Sequence, residues 1–146
     1  MISFDTNLVV YACNTRSPQY AAASAFLTGL AGRDDVVVCE LMLVEVYLKI
    51  RNPAILTHPY PPREAAAFCQ AFRSNPRWVV VESAPVMAEV WKRAAQPEFA
   101  FRRILDLRLG LTLRHHGVNE FATSNVRDFE ELGFDRVWNP LATNPA

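Results

Sequence analysis

The sequence predicts an α/β fold built on a mainly parallel sheet of four to five strands. Three observations predict it. Short β-branched or apolar runs alternate with longer helical patterns along the whole chain. Prolines and glycines fall at the joints between those runs. The length, 146 residues, suits one domain, and no repeat, linker or low-complexity tract divides the chain.

The elements follow in order. Ile2-Ser3-Phe4 reads as a first strand and Asn7 to Cys13 as a short helix. Pro18 to Leu30 is alanine-rich and helical, and Val36 to Cys39 is β-branched and short, hence a strand. Leu41 to Ile50 is a helix apolar on every side, expected to be largely buried. Pro53, Pro59, Pro61 and Pro62 bracket a loop before a helix from Arg63 to Arg73. Trp78 to Val81 is a third strand, Ala84 to Ala95 a helix, and Arg103 to His115 another, stopped by Gly117. Val118 to Ala122 is a fourth strand and Arg136-Val137-Trp138 a short fifth. In such folds ligands bind beyond the carboxyl ends of the strands, where the strand order reverses.

Composition excludes several classes. Hydrophobic residues make up 51% and charged residues 21%, an ordinary globular balance rather than a disordered one. A chain of this length buries roughly 70% of its unfolded surface, enough for one core. Fifteen basic residues balance fifteen acidic ones, so net charge lends no support to nucleic-acid binding, and any such grip must be local. Cys13, Cys39 and Cys69 are odd in number and lack C-x-x-C spacing, which reads as reduced thiols in the cytoplasm. The start has no signal-peptide pattern, and the apolar stretch Val36 to Leu48 is broken by Glu40 and Glu45, so no membrane segment is expected.

The carboxylates carry the functional signal. Asp5 directly follows the first strand, where helix capping is its ordinary role. Glu45 sits in the apolar helix and has either a solvent edge, a partner such as Arg51, or a site to serve. Asp106 repeats the pattern in Ile104-Leu105-Asp106-Leu107, with Arg102 or Arg103 as candidate partners and Gly110 leaving room beside it. The cluster Thr123-Ser124-Asn125-Val126-Arg127-Asp128 follows the fourth strand, as a polar turn or as a further ligand set. Each has a bland explanation alone. Together they put acids after the first strand, in two apolar helices and after the fourth strand. Carboxylate oxygens are hard ligands suited to Mg²⁺ or Mn²⁺, and packed acids raise one another's pKa unless a cation intervenes.

On these residues the chain resembles the PIN-domain family, and within it the VapC-type toxins. The matching segments are Ser3-Phe4-Asp5-Thr6-Asn7; Val44-Glu45-Val46-Tyr47 with Arg51-Asn52-Pro53; Arg103-Ile104-Leu105-Asp106 with Gly110-Leu111-Thr112-Leu113; and Phe121 to Phe129, continuing to Val137-Trp138-Asn139-Pro140. The resemblance implies a PIN-like three-layer α/β/α sandwich in a single domain over 1–146. It also implies a metal-dependent endoribonuclease, the toxin of a toxin–antitoxin pair, with a homodimer and a cognate antitoxin as partners. Carried over by position, Asp5, Glu45 and Asp106 are its core acids. Many relatives have Asp at the position of Asn125 and again at that of Asp128, so the fourth role is assigned to Asp128, with Asn125 a neutral ligand or substrate contact.

In that reading Asp5, Glu45, Asp106 and Asp128 hold one or two ions that activate water against an RNA phosphodiester. Thr6, Asn7 and Thr123 could orient water, ligands or phosphate. Arg51, Arg102, Arg103 and Arg127 are the local candidates for holding phosphates, as against ordinary solvated or paired charge. His115 and His116 read as structural or exposed, and Trp78, Trp91 and Trp138 as core anchors. Two other enzyme classes fit less well. A haloacid-dehalogenase-like phosphatase needs a second Asp where Asn7 stands, and a receiver domain needs an Asp ending the third strand. The non-enzyme alternative is a PIN-like module that binds RNA or a partner without cutting.

Overall fold

The strands set the frame. The structure, a computed structural model, describes residues 1–142; residues 143–146 of the expected 1–146 domain lie outside the described residues. In chain order the elements are β1 (Ile2–Phe4), α1 (Thr6–Cys13), α2 (Tyr20–Leu30), β2 (Val37–Cys39), α3 (Glu40–Ile50), α4 (Pro62–Arg73), β3 (Val79–Val81), α5 (Met87–Ala94), α6 (Ile104–His115), β4 (Glu120–Ala122) and β5 (Arg136–Trp138). Short 3-10 turns cover Phe101–Arg103, Val126–Asp128 and Glu130–Leu132.

Every strand pairing is parallel. β1 pairs with β4 and β4 with β5, while β2 pairs with β3. A parallel bridge between Ile2 and Val36 joins the two groups, so the strands run in the order β3-β2-β1-β4-β5. The chain builds outward from β1 to β3 on one side, then returns to add β4 and β5 on the other. The reversal therefore lies between β1 and β4, and their carboxyl ends open the crevice where such sheets bind ligands. β1 and β2 are buried along their whole length, which explains why Ser3 is their one polar residue.

Helices cover the sheet in an α/β/α sandwich. On one side α1 packs against α2 and α3, and α3 against α4; on the other α5 packs against α6, which also touches β2. Helix ends follow local rules. Pro62 opens α4 at a first-turn position, with Glu64 in that turn and Arg73 in the last. Gly117, at φ 86°, ends α6 in the left-handed conformation that an L side chain resists.

Phe4, Phe121 and Phe129 are fully buried, and the Phe121 and Phe129 rings lie 4.6 Å apart. Trp78 anchors the other end, 5.8 Å from Phe4 with its indole N–H on the Leu30 carbonyl at 3.2 Å. Three sequence expectations are corrected here. Helix α3 is not buried all round: Val44 and Leu48, one turn apart, are 58% and 62% exposed. Trp91 is no core anchor, being exposed on α5. Gly110 does not make room for Asp106; a side chain there would run into the Leu132 side chain, so its smallness serves packing against the 128–132 turns.

Candidate active site

The first acid is positioned by the strand reversal. Asp5 occupies the cap position of α1 in extended backbone, yet its side chain makes no capping bond. Its backbone N–H donates to the Ala122 carbonyl at 2.9 Å, stitching the end of β1 to the end of β4. Its carboxylate turns toward β4 as well: the Thr123 hydroxyl donates to Asp5 Oδ2 at 2.8 Å. The same hydroxyl oxygen accepts the Asn125 N–H at 2.9 Å. Thr123 thus ties the acid after β1 to the turn after β4. Asp5 is 5% exposed, and burial pushes its carboxyl up despite the Thr123 bond.

Glu45 and Asp106 enter from the helices. Glu45, half-buried on α3, is raised by burial and by the charge of Asp5. It makes no pair with Arg51, whose guanidinium instead reaches the Tyr47 hydroxyl at 3.2 Å. Asp106 sits in the first turn of α6, where a helix normally welcomes an anion. Its carboxyl is nevertheless pushed up to about 7, by burial first and then by the charges of Asp5, Glu45 and Asp128. Four carboxylates on four separate segments therefore feel one another in one cleft.

Asp128 is held differently. Arg103, expected either to pair with Asp106 or to hold phosphate, instead clasps Asp128: its Nε lies 3.2 Å from Oδ1 and its Nη2 donates to the Asp128 carbonyl at 3.1 Å. Asn125 Nδ2 donates to the other carboxylate oxygen. With Arg103 committed to Asp128, Arg51, Arg102 and Arg127 are the exposed guanidinium groups among the four named.

Sequence reasoning missed Lys49. It lies one turn beyond Glu45 on α3, and its ammonium donates to Asn7 Oδ1 at 2.8 Å. Its charge lowers Asp5, Glu45 and Asp106 alike. The signal was present as Glu45 and Lys49 four apart, a spacing that places both on one helix face.

The donor set suits a hard divalent cation. All four acids offer oxygen, and the Thr6 hydroxyl, 1% exposed, lies near enough to Glu45 to favour its charged form without making a well-formed hydrogen bond. Among the described residues, no three His, Cys, Asp or Glu side chains already converge as a direct ligand cluster. Mg²⁺ does not require such a cluster, since it takes one or two carboxylates directly and keeps several waters.

Comparisons with known proteins bear on the family and the fold. No family model matches the chain. It is 54% identical over 144 residues to "Ribonuclease VapC24" of Mycobacterium tuberculosis, in strain CDC 1551 / Oshkosh and in strain H37Rv, covering 99% of each chain. Among solved structures, FitAcB from Neisseria gonorrhoeae superposes with a TM-score of 0.65 at 19% identity, over 98% of this chain and 100% of that one. Mycobacterium tuberculosis VapC20, described as a sarcin-ricin loop cleaving toxin, superposes with a TM-score of 0.63 at 15% identity, over 92% and 96%. These two likenesses concern the fold.

Proposed function

We propose a mechanism for this chain from one premise: it belongs to the VapC ribonuclease family. The chain is a metal-dependent endoribonuclease, the toxin of a toxin–antitoxin pair, acting in the cytoplasm. The observation that carries this reading is the convergence of four acids beside the β1–β4 strand reversal, where the charges of Asp5, Glu45 and Asp128 all bear on Asp106.

Asp5, Glu45, Asp106 and Asp128 would hold Mg²⁺ or Mn²⁺, with Asn125 supporting Asp128. When bound, the ion would supply a water of lowered pKa and positive charge against the scissile phosphate. Thr123 keeps Asp5 aimed into the cleft through its hydroxyl. Thr6, beside Glu45, offers its hydroxyl to water or a phosphate oxygen. Asn7 holds Lys49 over the acids. Arg51, Arg102 and Arg127 contact RNA phosphates from the rim, while Arg103 serves Asp128.

A cognate antitoxin covers the cleft, and a second copy of the chain forms a homodimer. Exposed apolar residues beside the acids support a covering partner. Val44 and Leu48 flank Glu45, and Phe101 and Leu105, 90% and 57% exposed, flank Asp106. Phe101, Trp91 and Phe99 also line an apolar groove of ≈ 500 Å³.

The test is cleavage of total bacterial RNA by purified, antitoxin-free chain with Mg²⁺ or Mn²⁺, beside Asp106→Asn and EDTA controls. Discrete fragments from the wild type alone are expected. Intact RNA in every lane, from folded and metal-loaded protein, would overturn the reading in favour of a binding module.

A further inference from the structure

We propose that Lys49 is a built-in cation of the acidic cleft, a positioning residue that takes the place of a second divalent ion and limits the site to one. The inference rests on the metal-site reading above and goes further, to the number of ions and the residue that sets it.

Geometry places Lys49 there. It shares a face of α3 with Glu45, one turn away, and α3 packs on α1, the helix that Asp5 opens. Its ammonium is fixed by Asn7 Oδ1 at 2.8 Å, two residues along from Asp5. An ammonium has three donors, and Asn7 takes one. The others are free to face carboxylates or phosphate. Its charge acts on Asp5, Glu45 and Asp106 together, so it serves the cleft rather than one partner.

Charge balance then decides the stoichiometry. Four carboxylates enter the cleft. Arg103 neutralises Asp128 in a pair whose side chains are 28% and 16% exposed. Lys49 offsets one of the remaining three. Two negative charges are left, which one divalent ion neutralises. A second ion would make the cleft net positive beside a half-buried ammonium, at a cost that low-dielectric surroundings magnify. Asn125 reinforces the limit, being neutral and already donating to Asp128.

The test is Mn²⁺ binding to the full chain, with free ion read by electron paramagnetic resonance, so that no cleavage assay is involved. Wild type is expected to saturate at one Mn²⁺ per chain, and Lys49→Arg likewise. Lys49→Met is expected to bind the first ion roughly tenfold more tightly and to take up a second. Lys49→Gln, uncharged but still polar toward Asn7, guards against a packing defect in the Met variant and should behave the same way. Two ions in the wild type, or neutral variants indistinguishable from it in both affinity and number, would overturn the inference while leaving the metal site standing. No Mn²⁺ bound by folded wild type would overturn both.

Discussion

At the scale of residues, the cleft works against the stability of the fold. Asp106 holds its proton up to about pH 7 in the folded chain, against 3.8 as the ordinary value. The folded state therefore binds more protons than the unfolded one between those limits. Stability of the metal-free chain should fall as pH rises from about 4 to about 7, then level off. Asp106→Asn removes that cost. We expect the variant to be more stable than wild type by about 1–2 kcal/mol at pH 8, a modest gain because the group keeps contact with water. The gain should vanish near pH 4, and urea unfolding at the two pH values checks it. Cleavage should be lost in the same variant. Thr123→Val tests the tie between strands: Asp5 loses a buried hydrogen bond, expected to cost about 1–3 kcal/mol in urea titrations and to weaken Mn²⁺ binding.

At the scale of elements, most boundaries were legible in the sequence, and the departures have physical causes. All five expected strands and all six expected α-helices are present within a few residues among the described ones. The carboxylates on α3 and α6 were recognisable because acids are out of place in apolar helices. What periodicity could not reveal was which apolar side faces out. Val44 and Leu48 are exposed because α3 packs on α1 and α4 by its other faces. Gly110 is the companion case. Its hydrogen is what lets α6 meet Leu132. In Gly110→Ala the gain in helix propensity, about 1 kcal/mol, should roughly offset displacement of the flexible end of Leu132. Gly110→Val should cost about 1–3 kcal/mol, and chemical denaturation separates the two.

At the scale of the whole molecule, a chain with no net charge must grip a polyanion locally. With Arg103 committed to Asp128, three exposed guanidinium groups remain among the candidates, at Arg51, Arg102 and Arg127. Three phosphate contacts on single-stranded RNA give a plot of log affinity against log salt a slope of about −2. Binding of labelled RNA to the cleavage-deficient Asp106→Asn chain measures it. A slope steeper than about −4 would mean that other cations carry the grip. No described helix is long and apolar enough to cross a membrane.

The sequence by itself determined the alternation of strand and helix, the parallel sheet and the four acidic positions, because these depend on local pattern and on residues standing where their chemistry is unfavourable. Only the tertiary structure decided which groups meet. Thr123 reaches Asp5 across 118 residues, Arg103 chooses Asp128 over Asp106, and Lys49 reaches Asn7 from another helix. Those choices depend on the order β3-β2-β1-β4-β5 and on how far each side chain projects into the crevice. Pairing across such distances is set by packing, and local sequence carries no record of it.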